Sequence, residues 1–385
     1  MPPPVTPILL FKVRGEPVDL TMVRGLVPRG SIRRAAPRAR LVAMCAMAAS
    51  ATVAMYVSPV EAQLTTNPEL VGSHPYRLDA PRGAHLPFAG SFQAVCGRPG
   101  VGVAQCLADV LHPGGVVAEA STPTGLSPDI IEGVYGFTTT AAAGSGQTIA
   151  LVDAYNDPDA ASDLNEFSAQ YSLPPECNGG SSPPSCFEFT QVNETGGSSL
   201  PASDASWDLE ISLDIEWAHA LAPGANILLV EAASNNLSDM MAAEQYAATQ
   251  ANYVSNSWGS SELAGEESDD SNFTRPGVSY FAAAGDSGGL VIWPSASPDV
   301  ISVGGTSLTF SSGGTLAQEA AWSSGGGGCS AYETASTYQS TGSVNCAGMR
   351  ATPDVSLDAD PNSGVSVYDS VSYKGPPQDN SRSVA

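Results

Sequence analysis

Apolar and polar positions along residues 123–370 alternate between short continuous apolar runs and longer segments with helical spacing. Short apolar runs bounded by turn residues predict buried strands, and apolar residues three or four positions apart predict helices. Strands are predicted at 147–153, 226–231, 252–257, 278–284 and 300–304. Helices are predicted at 127–135, 157–171, 204–221 and 237–249. This alternation indicates an α/β fold with a mostly parallel sheet covered by helices on both faces, and functional groups at the carboxyl ends of its strands.

The first 62 residues have the pattern of a secretory signal. Eight of the fifteen Lys and Arg residues precede an uncharged run at 41–57. Val60-Glu61-Ala62 then places small residues at the two positions that signal peptidase recognises. We therefore predict cleavage after Ala62, a secreted protein and no stable membrane association afterwards. An uncleaved membrane anchor is the alternative, although the run is marginally long and apolar for a membrane span.

Composition changes again along the rest of the chain. Residues 63–122 are rich in Pro and Gly and show little periodicity, which favours a short propeptide or linker before a domain at 123–385. Without residues 1–62 the chain carries seven basic and 36 acidic residues, a net charge of −29. Such a charge argues against nucleic acid and anionic lipid as partners. Protein or peptide substrates and a monomeric state are expected instead.

Six cysteines remain once the predicted signal, which contains Cys45, is removed. An even number in an exported chain favours disulfides. Many pairings are formally possible, but the cysteines fall as three near neighbours, each closing a short loop. The local pairs that we predict are Cys96/Cys106, Cys177/Cys186 and Cys329/Cys346. A zinc site is the alternative, although the sequence has no Cys-x-x-Cys motif and no histidine near any pair.

The predicted helix at 204–221 carries the histidine that lies outside the propeptide-like segment. On this helix one stripe consists of Asp208, Ser212, Glu216 and His219, at steps of four, four and three. Because all four side chains are polar, we expect this stripe to face solvent and His219 to be a surface residue. The helix then offers no imidazole base for a serine or cysteine hydrolase.

The opposite stripe of the same helix combines two carboxylates with apolar residues. Glu210, Asp214, Trp217 and Leu221 follow one another at steps of four, three and four. One interpretation is a partly exposed acidic patch, which suits the positive end of the helix dipole. The other is a coupled acid pair in which close like charges raise one pKa and produce a base that works in acid.

A glycine-rich motif, G-D-S-G-G at 285–289, follows the strand predicted at 278–284. It matches two serine-nucleophile patterns, yet no histidine follows Ser287 and no Ala-Ala-His-Cys precedes it. A serine hydrolase using Ser287 therefore stays an alternative, beside a turn in which Asp286 caps backbone amides. Ser307, in a second Gly-Thr-Ser motif, is expected to be structural because the following residues alternate and then turn.

Five segments, taken together and in order, resemble the sedolisin family of serine-carboxyl peptidases. They are Glu210-x-x-x-Asp214, V-S-N-S-W-G at 254–259, A-A-G-D-S-G at 283–288, S-P-D-V-I-S-V-G-G-T at 297–306 and P-D-V-S-L-D-A-D-P-N-S-G-V-S-V-Y-D at 353–369. The resemblance implies a subtilisin-like fold and an endopeptidase with a Ser-Glu-Asp triad. It assigns Glu210 as general base, Asp214 as its orienting partner and Asp286 as the acid of the oxyanion hole.

The sequence departs from the family pattern after Asp369. Family members continue with a Gly-Thr-Ser motif that holds the nucleophile and then with calcium ligands, whereas this sequence continues with S-V-S-Y-K-G-P-P-Q-D-N-S-R-S-V-A. On this resemblance the domain is C-terminally incomplete, and the nucleophile and the calcium site lie beyond residue 385. The chain as given is then expected to be inactive and to hold no cofactor. A secreted binding module that keeps the fold without catalysis is the other alternative.

Overall fold

The computed structural model describes residues 90–97, 100–113, 123, 125–137, 140–177, 186–339, 345–371 and 381–384. The predicted signal lies outside the described residues, together with its cleavage site at Ala62 and with Cys45. The first part of the propeptide-like segment lies outside them as well. Within the described ranges, no helix has the length and apolar character needed to cross a membrane.

The described residues form strands and helices that alternate along much of the chain. The strands are β1 (Gly90–Ala94), β2 (Gln105–Cys106), β3 (Asp109–Pro113), β4 (Thr148–Ala154), β5 (Phe189–Asn193), β6 (Asn226–Ala232), β7 (Tyr253–Asn256), β8 (Trp258–Ser261), β9 (Ser279–Ala283), β10 (Ile292–Trp293), β11 (Ile301–Phe310), β12 (Leu316–Ala321), β13 (Gly328–Thr334), β14 (Met349–Thr352), β15 (Val355–Asp358), β16 (Val365–Tyr368) and β17 (Ser381–Val384). The helices are α1 (Pro128–Tyr135), α2 (Ala160–Tyr171), α3 (Ala205–Leu221) and α4 (Leu237–Gln250).

The largest sheet has the strand order β12-β11-β9-β7-β4-β6-β5, and β15 also pairs with β11. Every pair in this sheet is parallel except β11 with β12. The prediction of a mostly parallel α/β sheet is therefore confirmed. The described residues also form three smaller sheets, with the orders β1-β3-β17-β16, β10-β8-β2 and β13-β14.

Helices cover both faces of the central sheet, and β4 shows why. Its even positions, such as Ala150 and Val152, belong to the hydrophobic cluster that contains Met240 of α4. Leu151 points to the other face and clusters with Leu164 of α2 and residues of α3. Because side chains alternate along a strand, both faces of β4 must be apolar, which explains its continuous apolar run.

Two strand boundaries differ from the predictions. The single strand expected at 252–257 is divided into β7 and β8, which are separated by Ser257. β7 stays in the central sheet, whereas β8 leaves it and pairs with β2 and β10. The apolar pattern continues across this division, so it does not reveal the change of sheet. The strand expected at 300–304 continues to Phe310 because its second half pairs with β12.

The prediction that one stripe of α3 faces solvent is wrong. Its members are buried, each no more than 2 % exposed: Asp208, Ser212, Glu216 and His219. The backbone N–H of Tyr368 donates to Glu216 over this face, and His219 Nε2 lies 2.9 Å from the carbonyl oxygen of Pro174. The His219 ring centroid is 3.8 Å from that of Phe187, and burial lowers its pKa to about 4. Other parts of the fold cover α3 on all sides, so the polar side chains of this stripe make buried contacts.

Three disulfides occur in the structure, and they are the local pairs that the spacing predicts. They join Cys96 to Cys106, Cys177 to Cys186 and Cys329 to Cys346. Each bridge closes a local loop, because its two cysteines are close in sequence.

Replacing both Cys329 and Cys346 by serine is expected to lower the free energy of unfolding. The bridge spans 17 residues, and the loop-entropy model gives about 3 kcal/mol for a loop of this size. Urea unfolding of the double variant and of the parent chain would measure the difference. Peptide mapping without reduction provides the second check, and a peptide that joins Cys96 to Cys329 would contradict the pairing.

Candidate active site

Helix α3 places Glu210 and Asp214 one turn apart on one face. The helix begins after Asp204, whose side chain accepts a hydrogen bond from the backbone N–H of Ser206. Glu210 is buried and Asp214 is half-buried. The predicted pairing of these two carboxylates on an inner face of the helix is therefore present in the fold.

Glu210 is held by a single hydrogen bond among the described contacts. Its Oε2 accepts from the backbone N–H of Leu107 at 2.7 Å. Burial raises the pKa of Glu210 well above its usual range, and the charges of Asp214, Asp153 and Asp286 raise it further. Three other carboxyl groups thus lie close enough to act on Glu210 electrostatically.

Among the described residues, only one of the two carboxylate oxygens of Asp214 has a hydrogen-bond partner. Its Oδ1 accepts from the hydroxyl of Ser257 at 2.7 Å, whereas Oδ2 is buried and has no partner within the described residues. Burial raises the pKa of Asp214 to about 7, although the Ser257 hydrogen bond acts to lower it. Near or below neutrality Glu210 and Asp214 therefore retain at least one proton between them.

Asp153 completes this group, and sequence analysis did not assign it a role. It lies near the carboxyl end of β4, is fully buried, and neither of its carboxylate oxygens has a partner within the described residues. Burial and the charges of Asp214 and Glu231 raise its pKa well above the usual range. The available signal was an apolar run that ends in an acid, at the strand end where functional groups gather.

Asp286 lies in the loop after β9 and is half-buried. The preceding Gly285 has a φ of 96°, and a Cβ there would lie 2.9 Å from Ile292, so glycine is required for this turn. Burial and the charge of Asp109 raise the pKa of Asp286 to about 8. At acid pH this group is a neutral carboxylic acid, which can donate a hydrogen bond to a developing oxyanion.

The two serines considered from the sequence differ in environment. Ser307 lies within β11, and its hydroxyl donates to Asp360 Oδ2 at 2.6 Å, which fits the structural role expected for it. Ser287 is half-buried beside Asp286. Because His219 packs against Phe187 and the Pro174 carbonyl, it does not serve Ser287 as a base.

Residues 100–109 cross the carboxyl site, and we call them the cleft segment. Gln105 lies opposite Gly259 of β8 in an antiparallel pair. On the other side, the Ala104 N–H donates to the Asn235 carbonyl at 2.8 Å, and Asn235 Nδ2 donates to the Ala104 carbonyl at 2.9 Å. These residues belong to the segment that is predicted as a propeptide or linker. The structure brings them across Glu210.

In the described ranges, no group of three or more His, Cys, Asp and Glu side chains is arranged to hold a metal ion.

Comparison with known proteins identifies two curated relatives. No protein-family model matches the sequence. Kumamolisin from Bacillus sp. (strain MN-32) is 30 % identical over 282 residues, which are 65 % of this chain and 49 % of kumamolisin. Sedolisin from Pseudomonas sp. (strain 101) is 40 % identical over 88 residues, which are 20 % of this chain and 15 % of sedolisin. The chain thus spans half or less of the length of these relatives.

A solved structure supports the same fold. It is Pseudomonas sedolisin, a serine-carboxyl proteinase, in complex with two molecules of pseudo-iodotyrostatin. The TM-score is 0.53 at 23 % sequence identity, and the match covers 66 % of this chain and 75 % of the other. This likeness supports the predicted subtilisin-like α/β fold.

Proposed function

The chain belongs to the sedolisin family of serine-carboxyl peptidases, and on that premise we propose that it is a secreted endopeptidase that cleaves peptide bonds at acid pH. The observation that carries this proposal is the pair of buried Glu210 and half-buried Asp214, with Asp286 nearby. Burial is the largest cause of the raised pKa of all three groups, and it keeps protons on carboxyl groups that would otherwise be ionised.

Each carboxyl group has a proposed role in a Ser-Glu-Asp mechanism. Glu210 accepts the proton of the nucleophile serine as its oxygen attacks the peptide carbonyl, and Asp214 orients Glu210 and shares its proton. Protonated Asp286 donates a hydrogen bond to the oxyanion of the tetrahedral intermediate. Glu210 then returns the proton to the leaving amine. Water completes the cycle by hydrolysing the acyl-enzyme along the same proton path.

The nucleophile is not assigned to a residue of this sequence. By family resemblance it belongs to a segment beyond residue 385, together with the calcium ligands, so we propose that the chain as given is inactive. Neither Ser287 nor Ser307 takes its place. We also propose a signal at 1–62, a short propeptide or linker at 63–122 and an incomplete peptidase domain at 123–385.

We propose export from the cell and a protein or peptide substrate on the same basis. The three disulfides fit an oxidising compartment, and the acidic composition fits a soluble monomer that acts on proteins or peptides. Neither nucleic acid nor a stable membrane attachment is part of the proposed function.

A longer form of the chain that supplies the Gly-Thr-Ser segment is expected to hydrolyse peptides fastest in acid. Burial raises the pKa of Asp214 to about 7, so the acid pair begins to lose its protons near neutrality and the rate should fall as the pH rises further. A pH–rate profile from about pH 3 to about pH 9 would measure this fall. Ser287→Ala should leave the profile unchanged, and an alkaline optimum would contradict Glu210 as the base.

The chain as given provides a complementary test. Incubated with a reagent that labels active-site serines, it should incorporate no label, because Glu210 has no nucleophile to activate. Mass spectrometry of the digested protein would locate any adduct. Stoichiometric labelling of Ser287 would show that this serine, and not one beyond residue 385, is the nucleophile.

A further inference from the structure

A loop with four consecutive glycines packs against the loop that carries Asp286. Residues 323–328, S-S-G-G-G-G, lead from β12 into β13, and we call them the glycine loop. Residues 285–290, G-D-S-G-G-L, follow β9, and we call them the Asp286 loop. Because its glycines have no side chains, the glycine loop contacts its neighbour through backbone atoms.

Four backbone hydrogen bonds among the described residues join the two loops. The donor and acceptor pairs are Gly288 to Ser324 at 2.7 Å, Gly289 to Gly325 at 3.2 Å, Gly327 to Leu290 at 2.9 Å, and Gly326 to Gly285. The bond to Gly285 holds the peptide unit that leads directly into Asp286, and the other bonds hold the residues that follow it. The backbone of Asp286 is therefore fixed from both sides.

Gly326 allows this close approach because it has no side chain. A Cβ at its position would overlap the carbonyl oxygen of Ala284 and would lie 2.7 Å from that of Gly285. Both oxygens belong to the backbone, which cannot rotate away as the end of a flexible side chain can. Any residue other than glycine must therefore displace the chain directly before Asp286.

The glycine loop is attached to the rest of the domain at both of its ends. Before it, the backbone N–H of Trp322 donates to the carbonyl of Gly305 in β11 at 3.1 Å, and the Trp322 side chain is buried. After it, β13 pairs with β14, and Cys329 forms the disulfide with Cys346. These contacts do not involve the Asp286 loop, so the glycine loop offers that loop a fixed support.

The carboxyl group of Asp286 has no hydrogen-bond partner within the described part of the chain. The proposed mechanism needs this group to be available to the oxyanion. Since no side-chain contact holds it, its position is set by the backbone on either side. A misplacement of about 1 Å in an active site can lower the rate by about 10²-fold.

We propose that the glycine loop positions Asp286 for stabilisation of the oxyanion, and that Gly326 is the positioning residue on which this depends. The inference rests on the proposed function, in which Asp286 donates a hydrogen bond to the oxyanion. Gly326 has no side chain to offer a substrate, so it acts on the reaction only through the position of Asp286. The run of glycines, to which sequence analysis assigned no role, is thus part of the support of the site.

The first test measures this support in the unmodified chain. Gly288 and Gly289 are exposed, so the glycine loop is the source of any protection of their amides from hydrogen exchange. NMR should show exchange of both amides at least about tenfold slower than in an unstructured peptide. Exchange at the unstructured rate would overturn the inference.

The second test changes Gly326 in the full chain. Burial and the charge of Asp109 raise the pKa of Asp286 to about 8, and a displaced carboxyl group should lose part of that burial. In Gly326→Ala we expect this pKa to fall by at least about one, a tenfold loss of proton affinity. Carbon-13 NMR of labelled aspartate measures the titration, and Asp286→Ala identifies the resonance.

Gly196→Ala is the matched control for this substitution. Gly196 also lacks room for a side chain, since its Cβ would overlap the ring of Tyr246. It lies after β5, which three strands of the central sheet separate from β9. The control should leave the pKa of Asp286 unchanged. An unchanged pKa in Gly326→Ala, or an equal fall in both variants, would overturn the inference.

A longer form of the chain that carries the nucleophile distinguishes positioning from stability. Gly326→Ala should lower kcat at least about tenfold and change KM much less, because the oxyanion forms only as the reaction proceeds. In the Asp286→Ala background the same substitution should lower kcat by less than about threefold, since the group that it displaces is already absent. Equal losses in the two backgrounds would overturn the inference.

These outcomes separate the inference from the proposed function. The exchange and titration measurements need no catalysis, so they decide the positioning of Asp286 by themselves. The exchange measurement also needs no substitution, so it decides the matter even where Gly326→Ala does not fold. A longer form without peptidase activity would count against the proposed function alone.

Discussion

Replacement of Glu210 by glutamine, in a longer form of the chain that carries the nucleophile, is expected to lower kcat by about 10⁴-fold. The amide is close to the carboxyl in size and can still accept from the Leu107 N–H, but it cannot take the serine proton. Single-turnover kinetics at acid pH would measure the loss, and KM should change much less because Glu210 acts on the reacting atoms.

Glu216→Gln is the matched control for this substitution. Glu216 is a buried glutamate on the same helix, and its Oε2 accepts from the Tyr368 N–H at 3.0 Å, outside the carboxyl site. The control should keep kcat at the parent value. Retention of more than about a tenth of the parent rate in Glu210→Gln would remove Glu210 from the role of base.

The stability of the domain is expected to fall as the pH rises from about 4 to about 8. A second carboxyl cluster lies beside α3, away from Glu210, and consists of Asp157, Asp163, Asp208, Glu216 and Glu231. Burial is the largest cause of a raised pKa at every member. The pKa reaches about 7 at Asp157 and Glu231 and about 8 at Asp208.

The direction of this pH dependence follows from the difference in proton binding between the folded and the unfolded state. At intermediate pH the folded state holds protons that the unfolded state has already released, so raising the pH favours unfolding. The full stability is present below the unfolded pKa of about 4 and is lost as the pH rises through the folded values. One pKa unit corresponds to about 1.4 kcal/mol, so ionisation of two such groups removes much of a typical stability of about 5–15 kcal/mol.

Two other groups act in the opposite direction. His219 has a lowered pKa, so its contribution is lost as the pH falls from about 6.5 to about 4. Asp354, whose pKa is lowered chiefly by Arg350 at 2.6 Å, loses its contribution in still stronger acid. The carboxyl cluster has more members and larger shifts, so the net trend remains a loss of stability towards alkaline pH.

Urea unfolding at several pH values between about 4 and about 8 would measure this dependence. Asp208→Asn combined with Glu216→Gln should flatten the curve, since two of the titrating groups are then absent. Asp269→Asn, at an exposed position outside the cluster, is the control and should keep the slope. A stability that is constant or increases with pH would contradict the role assigned to the cluster.

Much of the fold could be predicted because the central strands are buried on both faces. Leu151 and Val152 are both apolar although they point to opposite sides of the sheet, and the sequence therefore shows a continuous run. The pairing of Glu210 and Asp214 was predictable for a similar reason. Helical spacing alone places residues four apart on one face.

Other features depend on contacts that no local pattern contains. The burial of His219 comes from Phe187 and Pro174, which precede it by more than thirty positions. The position of the cleft segment depends on Asn235 and β8, both more than a hundred residues away. Polar residues on a helix usually face solvent, and this expectation failed because α3 is covered on every side.

The passage from β7 to β8 has a further consequence. The chain leaves the central sheet at Asn256 and enters the strand that pairs with the cleft segment at Trp258, with only Ser257 between them. The hydroxyl of Ser257 donates to Asp214 at 2.7 Å. A movement of β8 relative to β7 therefore changes this hydrogen bond and the proton affinity of Asp214. By thermodynamic reciprocity, the protonation of Asp214 changes the free energy of that movement by the same amount.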